Sequence, residues 1–212
     1  MDIQHTEATA VTSVESVILE TPDPAAAADF YAAAFGLGDR LGVRASDAPT
    51  SGFRGFTLSL VVSGPGGVDG LIGAALDGGA TALKPAAKSF WGYGGVVRAP
   101  DGAIWKVATS AKRDTGPSNW RIDDVVLLLG VADVKASKRF YAGHGLTVAK
   151  SFGGKYVEFA AASPGVKLAL YGRRALAKDA GVAPDGTGSH RIVLQGGAFT
   201  DPDGFTWERR PA

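Results

Sequence analysis

The sequence predicts an α+β protein built from two tandem βαβββ modules, whose curved mixed sheets form a shared cleft. Two landmarks that occur once in each half carry this prediction. A Phe-Tyr pair, beginning at Phe30 and at Phe140, is followed within a few residues by Gly-Leu, and Pro-Asp-Gly stands shortly before Trp105 and before Trp207. Landmarks that recur in the same order indicate a duplicated module.

The residues between the two copies predict the module boundaries. Residues 109–118 are polar, show no hydrophobic periodicity and contain Gly116-Pro117, which is typical of a linker. We therefore expect an N-terminal tail at residues 1–12, a first module at 13–109, a linker at 110–118 and a second module at 119–212.

Both modules predict the same order of elements. Apolar, β-rich runs at 14–21 and 124–131 favour strands. Asp23 at an N-cap position, with Pro24 at the first helical position, predicts a helix over 24–35, and Asp133 predicts one over 133–141. Later elements are expected as strands within 53–62 and 155–170, helices at 68–76 and 174–180, and hairpins of 94–98 with 103–108 and of 197–200 with 205–209. Sheet faces that the helices leave bare bury their apolar area by curling toward each other, which creates a cleft for a small ligand.

Composition excludes several classes of partner. The 212 residues include 22 basic and 21 acidic side chains, for a net charge of +1, so no strong field attracts nucleic acid or an anionic membrane. The chain has no cysteine, which excludes disulfides and thiolate chemistry and is compatible with the cytoplasm. No run reaches the roughly 18 apolar residues that span a bilayer. We expect a cytoplasmic monomer or homodimer whose partner is a small molecule.

The ordered motifs at residues 78–105, 131–141 and 170–181 resemble the vicinal oxygen chelate superfamily. That superfamily includes glyoxalase I, extradiol dioxygenases, fosfomycin-resistance enzymes and bleomycin-resistance proteins, and the resemblance covers nearly the whole chain. Each motif is weak alone, but their order in two copies is specific. The resemblance implies two modules whose first and last strands converge on a common centre.

The resemblance also implies where metal ligands would stand. In the metal enzymes of this superfamily, a histidine lies seven residues before the aspartate that opens the first helix, and a glutamate follows the last aromatic strand position. The two histidine positions hold Ser16 and Val126, and the two glutamate positions hold Lys106 and Glu208. Glu208 alone is a ligand type, whereas a transition-metal site needs about three to four ligands. We expect no cofactor; the alternative is a divalent Zn, Ni, Fe or Mn ion with ligands from another strand register.

The implied centre leads to a specific expectation for two charged residues. If the last strands of both modules meet there, Lys106 and Glu208 form an ion pair in which the lysine replaces the charge of the missing metal. Because strand side chains alternate in direction, Trp105 and Trp207 point to the opposite face and belong to the core.

Four further residues are candidate ligand contacts. Trp91 and Tyr93 lie in a glycine-rich stretch, where their rings can stack on a planar ligand or belong to the core. Ser16 and Glu20 share one face of the first strand, where Glu20 can bind a cationic or hydroxyl group or remain solvated.

The sequence favours metal-independent binding or sequestration of a small aromatic or oxygenated molecule, as in bleomycin-resistance proteins. The alternative is a lyase, isomerase or dioxygenase, either dependent on a divalent metal or metal-free with Glu208 as general base near Lys106.

Overall fold

A computed structural model describes residues 11–90, 92–114, 121–161 and 165–210. Most of the expected tail, the end of the expected linker and Trp91 lie outside these ranges. In the first half the elements are β1 (Ser16–Thr21), α1 (Pro24–Ala34), β2 (Leu41–Ala45), β3 (Thr50–Gly52), β4 (Phe56–Val62), α2 (Pro65–Asp77), β5 (Thr81–Ser89), β6 (Gly92–Arg98) and β7 (Ile104–Thr109). In the second half they are β8 (Ile122–Val131), α3 (Val134–Gly143), β9 (Val148–Phe152), β10 (Tyr156–Phe159), β11 (Lys167–Gly172), α4 (Arg173–Ala180), β12 (Gly186–Gly188), β13 (Ile192–Gln195), β14 (Phe199–Thr200) and β15 (Thr206–Glu208).

The expected aspartate caps open the two long helices that follow β1 and β8. Asp23 Oδ1 accepts the N–H of Ala26 at 3.0 Å, and Pro24 occupies the first turn of α1. Asp133 Oδ1 accepts the N–H groups of Lys135 and Ala136 in the same way at the start of α3. A side-chain oxygen that binds these otherwise unpaired donors stabilises a helix start by about 1 kcal/mol.

Most of the described strands form two curved mixed sheets, each of which combines both halves of the chain, and β3 pairs with β12 in a separate two-stranded sheet. The large sheet has the order β5-β6-β7-β4-β8-β11-β10-β9, and the small sheet has the order β14-β15-β13-β1-β2. Antiparallel pairing of β4 with β8 joins the halves in the large sheet, and pairing of β1 with β13 joins them in the small sheet. The α+β class with curved mixed sheets is confirmed.

The large sheet contains two complete βαβββ units, but the small sheet is reduced. Its units are β4-α2-β5-β6-β7 and β8-α3-β9-β10-β11, and in each the first and fourth strands run parallel. In the second half β13 passes to β14 through three residues, Gly196, Gly197 and Ala198, whereas α2 and β5 follow β4 in the first half. The helix expected at 174–180 exists as α4, but it precedes β13 and is therefore not the counterpart of α2.

Two hydrophobic clusters lie on opposite faces of the large sheet. The main cluster, under α1, α2 and α3, contains Trp105 and Trp207, which are 0% and 2% exposed and confirm the expected core positions. The smaller cluster places Leu176 and Ala177 of α4 against Val96 and other residues of the opposite face. We call this opposite face, which carries Lys106, the inner face of the large sheet; α4 covers part of it.

The second half binds the carboxylate of its Pro-Asp-Gly turn with two donors. Asp203 Oδ1 accepts the N–H of Ala132 at 2.7 Å, and Asp203 Oδ2 accepts the hydroxyl of Ser137 at 3.0 Å. These bonds tie the last hairpin to the start of α3.

The first half lacks both donors at the matching aspartate. Asp101 corresponds to Asp203, but Pro22 has no N–H and Ala27 has no hydroxyl at the positions of Ala132 and Ser137. Asp101 Oδ2 is buried and makes no hydrogen bond of normal geometry with the described residues, although the Tyr31 hydroxyl lies close enough to interact with this carboxylate. A cavity of about 300 Å³ lies beside it, with Ala27 and Asp101 in its wall. A buried acceptor without a donor costs about 1–3 kcal/mol.

Replacing Ala27 by serine is therefore expected to raise the free energy of unfolding by about 1 kcal/mol, since the new hydroxyl has room and an unpaired acceptor. Urea unfolding followed by circular dichroism measures the change. Ala33→Ser, at an exposed position of the same helix outside the cavity wall, is the matched control and is expected to be neutral or slightly destabilising. Equal effects of the two substitutions would contradict the missing donor.

Candidate functional site

The structure separates the sequence-predicted site residues into two groups. Lys106 and Tyr93 belong to β7 and β6 of the large sheet. Ser16, Glu20 and Glu208 belong to β1 and β15 of the small sheet. Trp91, the remaining candidate, lies outside the described residues.

Lys106 does not contact Glu208, so the expected metal-replacing ion pair is wrong. Lys106 Nζ donates to Asp179 Oδ2 at 2.7 Å, and Glu208 accepts from both terminal nitrogens of Arg44 at 2.9 and 3.2 Å. The reason is topological: β7 and β15, the last strands of the two halves, lie in different sheets. The implied common centre is therefore divided between two sheets.

A cavity of about 430 Å³ lies between α4 and strands β5, β6 and β7 on the large sheet. Its charged lining residues are Lys84, Lys88, Lys106 and Asp179. Lys84 and Lys106 stand in register through Val96 on the inner face, whereas Lys88 is the register partner of Tyr93, so two cations and one anion face each other there. Lys84 Nζ donates to the carbonyl oxygens of Lys178 and Asp179 at 2.9 and 2.6 Å. Cations at the C-terminal end of α4 interact favourably with its dipole. We call this space the lysine cavity.

Lys106 belongs to a row of four residues that crosses the middle of the inner face. The strand register aligns Lys106 with Ser59, Ser59 with Val126, and Val126 with Lys167. Lys167 Nζ donates to Asp124 Oδ2 at 2.7 Å, which repeats the geometry of the Lys106 ion pair. The row includes two positions at which the resemblance implies metal ligands, and they hold valine and lysine.

The residues present do not fit a transition-metal site. A protonated lysine has no lone pair to donate to a metal, and valine has no donor atom. Within the described ranges, no group of three or more His, Cys, Asp or Glu side chains is arranged to hold an ion. Because about three protein ligands are required, the described donors do not build the implied centre.

On the small sheet, Ser16 and Glu208 share a row through Gln195. Ser16 Oγ donates to Gln195 Oε1 at 2.5 Å, and both residues are buried. Arg44 lies between two carboxylates, because its Nη2 also donates to Glu20 Oε1 at 2.6 Å. The hydrogen bond that Arg44 donates to Glu208, followed by the one it donates to Glu20, raises the pKa of Arg44 above its ordinary value. Glu208 is thus held as an ion-pair acceptor, and its expected place as a base beside Lys106 is not supported.

The side chain of Tyr93 lies on the helix-covered face of the large sheet. Tyr93 borders the lysine cavity, yet its ring packs against the main cluster and its hydroxyl donates to Asp69 Oδ1 of α2 at 2.7 Å. This hydrogen bond is the main cause that raises the pKa of Tyr93. The Tyr93 ring therefore faces away from the side chain of Lys106, and its stacking on a ligand stays a prediction.

Sequence reasoning missed Asp179, Lys84 and Arg44. Asp179 stands in the last turn of α4, which ends at Gly181 with a left-handed φ of +79°. The helix signal was readable, but the position of α4 across the inner face depends on packing that no local pattern encodes.

No helix in the described part of the chain is long and apolar enough to cross a membrane.

Comparison with solved structures shows the same fold at low sequence identity. A glyoxalase I variant from Zea mays superimposes with a TM-score of 0.58 at 13% identity, over 92% of this chain and 90% of that chain. A Bacillus subtilis protein to which a dioxygenase activity is ascribed gives a TM-score of 0.55 at 14% identity, over 92% of this chain and 73% of that one. No family model and no curated protein matches the sequence.

The chain therefore has the same fold as these glyoxalase I and dioxygenase structures. The resemblance to the vicinal oxygen chelate superfamily is confirmed by these structural neighbours as a likeness of fold. Identities of 13% and 14% carry no further statement about activity.

Proposed function

We propose that this protein binds a small, oxygenated organic acid in the lysine cavity, without a metal and without chemical conversion. One observation carries the proposal: a cavity of about 430 Å³ has Lys84, Lys106 and Asp179 in its wall, with both lysines on the same face of the sheet. That volume is in the ordinary range for small-molecule sites, and ammonium groups are strong donors to carboxylates. Binding or sequestration in the cytoplasm, as the sequence predicts, is part of the same proposal.

The ion pair between Lys106 and Asp179 supports a binding role for Lys106. The side chains of Lys106 and Asp179 are 36% and 43% exposed, so an entering anion reaches the ammonium group without displacing the core. At this exposure the ion pair itself contributes little to folding, about 0–1 kcal/mol. A ligand carboxylate that shares Lys106 with Asp179 gains a charge-assisted hydrogen bond at small structural cost.

No feature of the described residues favours the metal-enzyme alternative, since the row through Lys106 offers no set of ligands. The metal-free alternative required Glu208 near Lys106, and these residues lie in different sheets. We therefore place binding ahead of catalysis.

The test compares hydroxy- and aryl-carboxylates with their matched carboxamides in a thermal-shift screen of the whole protein. A ligand that binds only the folded state raises the melting temperature. We expect shifts from acids and not from amides, and we expect the same shifts in the presence of a chelator. Lys106→Ala should weaken acid binding by about tenfold or more, because charged hydrogen bonds contribute about 1.5–3 kcal/mol.

Lys167→Ala is a matched control for Lys106→Ala. Both lysines stand in one row of the inner face, both donate to an aspartate at 2.7 Å, and they are 34% and 36% exposed. Lys167 lies outside the wall of the lysine cavity. Equal loss of binding in the two variants, or binding that the chelator abolishes, would refute the proposal.

A further inference from the structure

A cavity of about 630 Å³ lies where the second half lacks a counterpart of α2. In the first half α2 packs against α1, β6 and β7. The corresponding elements of the second half are α3, β14 and β15. The chain passes from β13 to β14 through Gly196, Gly197 and Ala198 without a helix, so the surface of these three elements that α2 would cover has no covering helix. We call this space the α3 cavity.

The residues at the uncovered positions have changed in a consistent direction. Aligned on the repeated Phe-Tyr and tryptophan landmarks, the first half has the buried apolar residues Phe30, Ala34, Val97 and Val107. The second half has, in the same order, Phe140, His144, Phe199 and Arg209. The phenylalanine is retained, and at the other three positions small aliphatic side chains are replaced by two aromatic rings and a cation. Loss of a covering helix by itself would require only that these positions become polar.

Three aromatic rings pack against one another in tilted pairs beside the α3 cavity, and two of them, His144 and Phe199, line it. The ring centroids of Phe140 and His144 are 4.1 Å apart, and those of His144 and Phe199 are 4.3 Å apart. His144 Nδ1 lies 2.8 Å from the carbonyl oxygen of Phe140, and a carbonyl only accepts, so Nδ1 donates. This bond fixes the imidazole plane, and His144 and Phe199 present half-buried rings to the cavity.

The charged groups around the cavity favour an anion. Its wall contains Arg209, Arg210 and Glu15, two cations against one carboxylate, in addition to the His144 ring. Arg209 continues β15 directly after Glu208, at the position where the first half has the buried Val107. A guanidinium pairs with a carboxylate through two parallel hydrogen bonds, which fixes the orientation of a planar acid.

We propose that the α3 cavity is a second ligand site, which binds a planar aromatic acid with its ring against His144 and Phe199 and its carboxylate on Arg209. The volume of about 630 Å³ accommodates a molecule of this class. Offset aromatic packing and a charge-assisted pair supply affinity from two independent sources. This site is separate from the lysine cavity, and its existence does not depend on the function proposed there.

The probe is naphthalene-2-carboxylate, with naphthalene-2-carboxamide as its neutral counterpart, and binding is measured by titration calorimetry on the full chain. We expect saturable binding of the acid and weaker binding of the amide. Arg209→Gln should weaken acid binding about tenfold and leave amide binding unchanged. Arg139→Gln, at an exposed position of α3 outside the cavity wall, is the matched control and should change neither.

A second variant tests the aromatic wall. His144→Ala, which introduces the residue of the matching position in the first half, should weaken the acid and the amide alike. Equal binding of acid and amide, equal effects of Arg209→Gln and Arg139→Gln, or no saturable binding up to about 1 mM would overturn the proposal. Loss of naphthoate binding in Lys106→Ala but not in Arg209→Gln would also overturn it, because that result places the acid in the lysine cavity.

Discussion

Replacing Trp105 by alanine is expected to lower the free energy of unfolding by about 3–5 kcal/mol. The Trp105 side chain is 0% exposed and packs against Tyr31 and Phe35, with ring centroids 5.3 and 4.8 Å away. Alanine leaves a cavity that surrounding β7 and α1 cannot close, so both the transfer free energy and the dispersion contacts are lost. Chemical denaturation monitored by circular dichroism measures the loss.

Phe152→Ala is the control for this substitution. Phe152 is an aromatic residue at the end of β9, an edge strand of the same sheet, and it is 65% exposed. Its removal should cost less than about 1 kcal/mol, which is typical of exposed positions. If Trp105→Ala and Phe152→Ala had similar effects, Trp105 would not anchor the main cluster.

The second large effect is expected at alkaline pH. Burial, and then the nearby Asp101 carboxylate, raise the pKa of Tyr31 well above its ordinary value of 10. Burial and Asp201 do the same for Tyr141, whose hydroxyl donates to Asp201 Oδ2 at 2.6 Å. Each tyrosine therefore favours the folded state fully below pH 10, and its contribution is lost as the pH rises toward the raised folded-state pKa. Above pH 10 the free energy of unfolding should fall by about 1.4 kcal/mol per pH unit for each tyrosine, or about 2.8 kcal/mol per pH unit for both.

Tyrosine-to-phenylalanine variants separate this effect from the titration of lysines. Tyr31→Phe and Tyr141→Phe each remove one ionisable group. In each single variant the pH slope of the unfolding free energy above pH 10 should therefore decrease by the contribution of one tyrosine, which is half of the total for the pair. Urea unfolding in a pH series from 8 to about 11.5 gives the slopes. A slope that is identical in the parent and in the double variant would contradict the assignment.

Local sequence signals accounted for much of the fold. Asp23 and Asp133 fixed the starts of α1 and α3, because a cap acts within three residues of itself. The period-two alternation of a strand placed Trp105 in the core and Lys106 on the other face. These inferences involve only neighbours along the chain, and each was confirmed.

Long-range pairing was not available from the sequence, and the site prediction failed there. Alternation showed that Lys106 and Glu208 occupy equivalent positions, but not that β7 and β15 belong to different sheets. Arg44 became the partner of Glu208 because β2 lies beside β1, a register that neither strand specifies alone. One difference in the sequence was informative and was not used in the prediction. The first half has a long interval between β4 and its Pro-Asp-Gly turn, and the second half has a short interval between β13 and Pro202. That difference indicates that the second half lacks a counterpart of α2.

The shared sheets also determine how the two halves depend on each other. Because β1 pairs with β13 and β4 pairs with β8, each half alone would present unpaired strand edges to solvent, a hazard for aggregation. The covalent join between the halves therefore acts as a tether that holds complementary fragments at a high effective concentration. Assembly of the two sheets is first order in this chain, and it does not slow down when the protein is dilute.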